Sequence, residues 1–552
     1  MNGNGGKIVA EVLRQEGVKK VFCVPGESFL HVLDALYDYP DIELITTRHE
    51  GGASFMSEGY AKASGEVGVC MATRGVGSTN LSIGIHTAFQ DSTPMVALIG
   101  QVDRPFKHKE AFQEIDLEAY FGHICKWTVE IDDVERIPEL LHRAFHVARS
   151  GRPGPVLVSL PEDMLSDLTE ININTPMKLK PSKPDGDSIK KALTEVSKAK
   201  RPIIIAGGGV VRSKASDLLV KLAEELQIPV VTSFRRFDAF PNSHKNYIGS
   251  LGLSTPQYLL DYIKQADVAI ALGTRFSQIT SQDYTLLNGN TQLIHVDISQ
   301  EELGKIYTPS LAIASDVKEF IQSLLTQHTN TVPVKREELI NELHEKYLAY
   351  STPIKEDSDA FVDMEGMIFD FMCNVPKNSI ITTDAGNFFS WISRFYRFDY
   401  ETTYIGPTNG AMGYGLPSAI GAKLAHPDRT VISFSGDGGY MMTMQEFETA
   451  VRYNIPVIAV VVNNNMYGTI RMHQERTFPN RVIGTELSNP SFAEIANLFG
   501  GYGEKVEKNA EFIPALKRAL AASRPALIEL KTNPAILSAI KKRNRIQQFK
   551  GY

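Results

Sequence analysis

The chain has 552 residues, of which 43% are hydrophobic and 22% are charged, and its formal net charge is −7. These values are ordinary for a globular protein, and at about 100–200 residues per domain the length predicts three or so domains. No apolar run reaches the ~18 residues that span a bilayer, and the amino terminus lacks the pattern of a secretory signal. Basic residues cluster only at 541–552. Composition therefore argues against membrane, secreted and nucleic-acid-binding classes, and the expected compartment is the cytoplasm.

Cysteine usage points the same way. The four cysteines, at Cys23, Cys70, Cys125 and Cys373, form no close pairs along the sequence. This spacing argues against a disulfide framework and against a structural zinc site. We expect four buried thiols.

Short β-branched runs alternate with amphipathic stretches of helical length along the chain, which is typical of parallel sheets covered by helices. The sequence therefore predicts an α/β protein. Stretches rich in proline, lysine and polar residues interrupt the alternation at 175–188 and 326–359. They divide the chain into predicted domains at 1–170, 185–330 and 360–552. The last domain ends in the basic tail, which we interpret as a solvated end or as an active-site cover.

The first and last domains each contain one segment with the same order of signals. "GVCMATRGVGSTNLSIGIHTAFQDSTPMVALIG" and "TVISFSGDGGYMMTMQEFETAVRYNIPVIAVVV" both indicate a strand, a glycine turn, a helix, a proline and a second strand. Seventeen positions separate Gly77 from Pro94, and eighteen separate Gly438 from Pro456. The near-equal spacing predicts two similarly folded domains.

The middle domain contains a glycine turn after the strand of "PIIIAGGGVV". Gly207, Gly208 and Gly209 could cradle a dinucleotide, although a glycine turn alone is a weak signal. A nicotinamide dehydrogenase is one alternative. Against it, no clear G-x-G-x-x-G opens a strand–helix–strand unit that has a suitable acid downstream.

The last domain carries the most informative stretch, from Ser433 to Gly468. Asp437 follows one predicted strand and Asn464 follows the next, so both side chains should lie at the carboxyl edge of a parallel sheet. Mg²⁺ prefers such oxygen ligands, and two glycines beside the aspartate would let backbone amides approach phosphate oxygens. The predicted ligand is a magnesium diphosphate. The alternative is a tight turn followed by an asparagine-capped loop.

Gly-Asp-Gly followed by asparagines just under thirty residues later resembles the cofactor motif of thiamine-diphosphate-dependent enzymes. The resemblance implies three doubly wound parallel-sheet domains, namely a pyrimidine-binding, a central and a diphosphate-binding domain. It also implies that Asp437, Asn464 and the carbonyl of Met466 bind Mg²⁺. The remaining residues that it places at the diphosphate or under the cofactor are Gly436, Gly438, Gly439, Asn464, Asn387, Phe388 and Met412.

A second match lies in the first domain, in "ITTRHEGGASFMSEGYAKASG". There the resemblance identifies Glu50 as the glutamate that contacts the aminopyrimidine of the cofactor. A carboxyl group at the pyrimidine N1′ favours the imino tautomer, whose nitrogen can remove the C2 proton of the thiazolium. The alternative for Glu50 is an exposed loop acid, and for Met412 it is an ordinary core methionine.

Across nearly the whole chain, the sequence is most similar to acetolactate synthase catalytic (large) subunits. The segments that carry this resemblance are "VPGESFLHVLDALYD", "DSTPMVALIGQV", "AFQEIDL", "GRPGPVLVSLPED", "LGTRF" and "IHVDI". It implies a carboligase acting on 2-oxoacids, by default two molecules of pyruvate, with Phe112 and Gln113 at the reaction centre. Arg275 would contact flavin or substrate, and otherwise it is a strand-end ion-pair residue. The implied partners are a homodimer or homotetramer with active sites between subunits, and a small regulatory subunit.

Several departures from that family leave its finer properties open. Glu27 stands where synthases have a small residue, whereas pyruvate decarboxylases place an acid beside the thiazolium. The chain nevertheless lacks their His-His pair. "LGLST" near Gly252 replaces a flavin-contact segment, so the sequence leaves FAD as an optional cofactor and argues slightly against its tight binding. A decarboxylase or carbon–carbon lyase remains the alternative function, while Glu50, Asp437 and Asn464 argue against a non-catalytic scaffold.

Overall fold

A computed structural model of the chain describes residues 2–173, 175–177, 180–327, 335–355 and 360–539. The basic tail at 541–552 lies outside these residues. Within the described ranges, no helix is long and apolar enough to cross a membrane.

The first part of the chain forms a six-stranded parallel sheet with helices on both faces, and a two-stranded antiparallel sheet pairs its ends. Its strands are β1 (Asn2–Asn4), β2 (Lys20–Cys23), β3 (Glu43–Thr46), β4 (Gly68–Ala72), β5 (Met95–Gln101), β6 (Trp127–Glu130), β7 (Pro155–Pro161) and β8 (Leu168–Glu170). Its helices are α1 (Gly5–Gln15), α2 (Leu30–Tyr37), α3 (Glu50–Ser64), α4 (Gly75–Asp91), α5 (Leu117–Phe121), α6 (Ile137–Arg149) and α7 (Glu162–Ser166).

The central part forms a second six-stranded parallel sheet, with apolar clusters on both of its faces. Its strands are β9 (Pro202–Ala206), β10 (Val230–Thr232), β11 (Tyr247–Ser250), β12 (Val268–Leu272), β13 (Gln292–Asp297) and β14 (Leu311–Ala314). The helices are α8 (Gly186–Lys198), α9 (Gly208–Arg212), α10 (Ser216–Leu226), α11 (Gln257–Lys264), α12 (Val317–Gln327) and α13 (Glu337–Ser351).

The last part forms a third six-stranded parallel sheet. Its strands are β15 (Ile380–Thr383), β16 (Tyr404–Ile405), β17 (Val431–Gly436), β18 (Ile458–Asn463), β19 (Tyr502–Val506) and β20 (Ala526–Lys531). Its helices are α14 (Met364–Asn374), α15 (Phe389–Phe395), α16 (Gly415–Ala425), α17 (Asp437–Thr443), α18 (Glu446–Arg452), α19 (Gly468–Thr477), α20 (Phe492–Leu498) and α21 (Asn509–Ala521). The prediction of an α/β protein with three parallel sheets is confirmed, while the exact domain boundaries stay predictions.

The first and third sheets share one strand order. The first runs β3-β2-β4-β5-β7-β6 and the third runs β16-β15-β17-β18-β20-β19, so the two sheets connect their strands in the same way. The prediction of two similarly folded domains is therefore confirmed. The central sheet differs, because its order β11-β10-β9-β12-β13-β14 is that of a dinucleotide-binding fold.

Each sheet has a switch point, where the order reverses between two neighbouring strands: β2 and β4, β9 and β12, or β15 and β17. Ligands of open α/β sheets bind in the crevice at the carboxyl ends of such strands. Predicted site residues follow these strands in all three sheets. Glu27 follows β2, Gly207 and Arg275 follow β9 and β12, and Asn387 and Asp437 follow β15 and β17.

Two details differ from expectation. The helix predicted between β17 and β18 is two helices, α17 and α18, although Met444 and Gln445 between them keep helical dihedrals and the chain direction continues. Three cysteines are buried as expected, but Cys373 is exposed. It lies on the solvent side of α14, whose opposite face carries the buried Phe371.

The first and third domains pack closely through α3 and α16. A side chain at Gly59 would place its Cβ 2.5 Å from the carbonyl oxygen of Ser418, and one at Gly421 would place it 2.0 Å from that of Met56. Real Cβ atoms do not approach so closely, so glycine is required at both positions. A continuous apolar cluster joins the two domains around this contact. The packing fixes α3, which begins with Glu50, against the domain that carries Asp437.

Candidate active site

The predicted metal ligands converge at the carboxyl edge of the third sheet. Strands β17 and β18 are parallel neighbours, and Asp437 and Asn464 directly follow them. Asp437 is buried, and burial raises the pKa of its carboxyl group although the amide of Gly438 donates to Oδ1 at 3.0 Å. The amide of Met466 donates to Oδ1 of Asn464 at 3.2 Å. A buried carboxylate, an amide oxygen and a nearby main-chain carbonyl make a donor set that suits Mg²⁺.

Close packing requires glycine at Gly438 and Gly439, whereas a Cβ at Gly436 would make only an ordinary contact. A Cβ at Gly438 would lie 2.5 Å from the ring of Tyr467, and a Cβ at Gly439 would lie 2.4 Å from Oδ2 of Asp384. A Cβ at Gly436 would meet the ring of Phe388 at 3.4 Å. Backbone without side chains therefore faces the space between β15 and β17, where a diphosphate could approach the amides.

Asp384 is a neighbour of this cradle that sequence reasoning passed over. Its carboxyl group is fully buried, and burial raises its pKa to about 6. Oδ1 accepts the amide of Gly415 at 2.6 Å, while Oδ2 has no hydrogen-bond partner among the described residues. The contact ties the end of β15 to the loop that holds the half-buried Met412. The sequence signal that could have identified Asp384 is an aspartate placed directly after a predicted strand.

The same edge receives Asn387. The hydroxyl of Thr469 on α19 donates to Oδ1 of Asn387 at 3.0 Å. Phe388 is buried beside it. The predicted diphosphate contacts thus lie between the ends of β15 and β17 and the start of α19, as the switch-point geometry requires.

Glu50 begins α3 at the edge of the first sheet and is half-buried. Nδ2 of Asn80 on α4 donates to Oε2 of Glu50 at 2.9 Å. A Cβ at Gly77 would lie 3.1 Å from Oε1, so the glycine leaves room for the carboxylate. Glu50 is therefore an oriented acid on a helix terminus and not a loop residue.

Glu446 on α18 supports that helix from the third domain. It is fully buried, and both of its carboxylate oxygens accept the amide of Arg48 at 3.2 Å. The hydroxyl of Thr449 donates to Oε2 at 2.8 Å, and a Cβ at Gly52 would lie 2.5 Å from Oε1. A negative charge near the first turn of α3 is favourable, yet burial dominates and raises the pKa of Glu446 to about 7.

Because the pKa of Glu446 is raised on folding, we expect the free energy of unfolding to depend on pH. Because its pKa is raised from 4.5 to about 7 on folding, its contribution is fully present below pH 4.5 and is lost as the pH rises through 7. The loss is on the order of 3 kcal/mol. We expect Glu446→Gln to remove this slope, measured as the wild-type minus variant difference in unfolding free energy from pH 4.5 to 8. A difference that stays constant with pH would contradict the assignment.

The residues predicted at the reaction centre lie near α4 and the end of β2. Glu27 is exposed, and Phe112 is 74% exposed. Gln113 adopts a left-handed backbone conformation at φ 63°, and its carbonyl accepts the amide of Gly75 at 2.9 Å. The structure therefore places the loop of Phe112 and Gln113 against the helix that orients Glu50.

The central switch point is rich in arginine. A Cβ at Gly207 would lie 2.2 Å from the carbonyl oxygen of Gly273, so the loops after β9 and β12 touch. Arg275 donates to the carbonyl of Gln90, and burial together with Arg152 and other neighbours lowers its pKa to about 10. Among the described residues Arg275 forms no ion pair within 4.0 Å, but Glu302 and Asp91 lie near enough to raise its pKa, so the strand-end ion-pair alternative stays open. The positive charge of Arg275 would suit the diphosphate of a dinucleotide.

Three protein-family models match the chain in succession. They describe the N-terminal binding domain of thiamine pyrophosphate enzymes at 3–120, their central domain at 189–324 and their C-terminal binding domain at 384–530. Thiamine pyrophosphate is another name for thiamine diphosphate. The first model covers the region that carries Glu50, and the last covers the region that carries Asp437.

Individual relatives match over almost their full length. The chain is 35% identical to a probable acetolactate synthase large subunit of Methanocaldococcus jannaschii, over 96% of this chain and 92% of the relative. It is 34% identical to the acetolactate synthase large subunit of Lactococcus lactis, with the same coverage. It is 33% identical to the isozyme 1 large subunit of Escherichia coli, over 96% and 93%. The chain therefore belongs to the thiamine pyrophosphate enzymes, and it is a thiamine-diphosphate-dependent enzyme of the acetolactate synthase type.

Proposed function

We propose that the chain is a carboligase that converts two molecules of pyruvate to 2-acetolactate and carbon dioxide. One pyruvate loses its carboxylate as carbon dioxide, and its two-carbon unit forms a carbon–carbon bond with the carbonyl carbon of the second pyruvate. One proton is consumed. The observation that carries this proposal is the convergence of Asp437 and Asn464 at one sheet edge in a chain whose relatives are named acetolactate synthases.

The chemistry of each side chain indicates its role in the proposed reaction. Asp437, Asn464 and the carbonyl of Met466 would hold Mg²⁺, and the backbone around Gly438 would accept the diphosphate. When bound, thiamine diphosphate would supply a carbon nucleophile, formed when its C2 proton leaves, and an acceptor for the electrons released on decarboxylation. Glu50, oriented by Asn80, would hold a proton at the pyrimidine nitrogen.

We propose that the working site lies between two subunits of a homodimer, or of a homotetramer built from such dimers. Exposed apolar side chains support this arrangement. Val76 and Ile83 lie on α4, the helix that carries Gly77 and Asn80, and Met441 and Met442 lie on α17 beside Asp437. Surfaces next to both halves of the site thus have the composition of an interface.

Two further partners extend the proposal. FAD would lie at the central switch point beside Arg275, but "LGLST" near Gly252 replaces the flavin-contact segment, so we expect no tight binding. A small regulatory subunit would join the assembly, since the relatives are named large subunits. Neither enters the chemistry above.

Glu27 favours a second candidate function, a 2-oxoacid decarboxylase that releases an aldehyde. Its exposed carboxyl group follows β2 at the switch point, where an acid could deliver a proton to the two-carbon unit before a second carbonyl arrives. Nothing in the chain supplies the His-His pair of pyruvate decarboxylases. We therefore place ligation first.

The products decide between the two. With pyruvate, Mg²⁺ and thiamine diphosphate, we expect acetolactate as the main product and acetaldehyde as a minor one whose share falls in Glu27→Gly. Glu27→Gln keeps the side-chain size but lacks a carboxyl group that can donate a proton, so it should lower the aldehyde share in the same way. Acetaldehyde as the sole wild-type product would replace the carboligase by the decarboxylase, and no pyruvate consumption would direct the assay to other 2-oxoacids.

A further inference from the structure

The asparagine cluster does more than supply one metal ligand. Nδ2 of Asn489, far from the cluster in sequence, donates to Oδ2 of Asp437 at 2.8 Å. The same nitrogen lies 3.1 Å from Oδ1 of Asn463 and 3.1 Å from Oδ1 of Asn465. One amide group therefore joins the ends of β17 and β18 to the segment that precedes α20.

The orientation of Asn463 is fixed from the opposite side. Glu529 on β20 is buried at 3% exposure, and its Oε2 accepts the amide of Ala493 at 3.1 Å. Nδ2 of Asn463 donates to Oε1 of Glu529 at 2.9 Å. Because a backbone N–H only donates, the amide of Asn465 fixes Oδ1 of Asn463 on its own side and turns the side-chain nitrogen to Glu529. Its oxygen consequently faces Asn489.

The same reasoning fixes Asn489. Its neighbours in the network are a carboxylate and two amide oxygens, all of which accept. The side chain must therefore present its nitrogen, and its two hydrogens serve these three oxygens. One oxygen of Asp437 is held by Asn489, and the other accepts the amide of Gly438. The carboxylate is thus held on both oxygens.

Asn465 completes the arrangement through its backbone. It adopts a left-handed conformation at φ 55°, which asparagine tolerates better than most residues. Its amide donates to Oδ1 of Asn463 at 3.1 Å, so the turn after β18 closes onto the same oxygen. The three asparagines therefore differ in their contacts: Oδ1 of Asn464 accepts the amide of Met466, while Asn463 and Asn465 both contact Asn489.

We propose that Glu529, Asn463 and Asn489 form a hydrogen-bonded chain that orients the carboxylate of Asp437 for the metal. This proposal rests on the proposed function, because it assigns the three residues to the same Mg²⁺ site. They are positioning residues, since their side chains bond to one another and to Asp437. Outer partners of this type orient metal-binding carboxylates, and their loss typically weakens metal affinity by about 10–100-fold.

A cavity of about 300 Å³ borders this hydrogen-bonded chain and is lined by Asn463, Asn464, Asn489, Glu529 and neighbours that include Lys531. Asn489→Ala would open the hydrogen-bonded chain of Glu529, Asn463 and Asp437 to this cavity. Water could then replace the amide without fixing the carboxylate, because a water molecule can turn to donate or accept. Substitution should therefore loosen the site without leaving a buried group unpaired.

The test measures metal binding directly. Asn489→Ala and Asn463→Ala are compared with wild type by Mn²⁺ titration under electron paramagnetic resonance, in the presence of thiamine diphosphate. We expect the Kd for Mn²⁺ to rise about 10–100-fold in both variants. Retention of thiamine diphosphate after desalting should require correspondingly more Mg²⁺. Asn497→Ala is the matched control and should match wild type, because it removes an exposed side-chain amide on α20 that, in the described part of the chain, bonds to Gly503 alone.

The outcomes distinguish failure of the supporting chain from failure of the proposed function. If wild type binds Mn²⁺ and cofactor but both variants bind Mn²⁺ as tightly, the supporting chain is rejected while the proposed function stands. If wild type itself binds neither, the proposed function fails and this inference falls with it. Circular dichroism verifies folding, and two variants at different points of the chain guard against one that misfolds.

Discussion

Asp437→Ala and Asn464→Ala should each lose thiamine diphosphate on desalting and lose activity with it. Each substitution removes one of the two side-chain oxygens that the ends of β17 and β18 bring to one sheet edge. Diphosphate carries several negative charges, and without its cation the backbone around Gly438 offers only neutral donors. Because removing an outer partner already costs about 10–100-fold in metal affinity, we expect loss of a ligand to exceed that range.

The measurement is the cofactor content of the protein after desalting in buffer that contains Mg²⁺. Asp428→Ala is a suitable control, since Asp428 is an exposed acid of the same domain that lies before β17. It should retain the cofactor as wild type does. Full retention by both site variants would show that the metal is held elsewhere.

Glu50→Gln should still bind thiamine diphosphate but should exchange the cofactor's C2 proton much more slowly. Glutamine keeps the size of the side chain and can still accept from Asn80, so α3 and its packing should persist. It cannot share a proton with the pyrimidine nitrogen as a carboxyl group does. General acid–base catalysis typically contributes about 10²–10⁴-fold, and we expect a loss of that order in the exchange rate.

Exchange is followed by NMR of acid-quenched samples after transfer to deuterium oxide. Glu66→Gln provides the matched control, because Glu66 is an exposed acid that follows the same helix at its opposite end. Wild-type exchange in Glu50→Gln, with the cofactor bound, would remove Glu50 from proton transfer and leave it a structural role.

Local patterns in the sequence determined the architecture of this protein. Alternating β-branched and amphipathic runs predicted parallel sheets covered by helices, because both periods are set by the backbone itself. The near-equal spacing from Gly77 to Pro94 and from Gly438 to Pro456 predicted two similarly folded domains, and the first and third sheets share one strand order. Asp437 and Asn464 could be paired because parallel neighbours end at one edge.

The supports of the site were decided only by the tertiary structure. Asn489 reaches Asp437 from 52 positions away, and Glu446 reaches the amide of Arg48 from 398 positions away. No periodicity connects such residues, because each contact depends on how separate elements pack. A buried carboxylate then selects which groups face it, as Glu529 does for Asn463. The sequence determined which strands carry the ligands, and packing between distant segments decided what orients them.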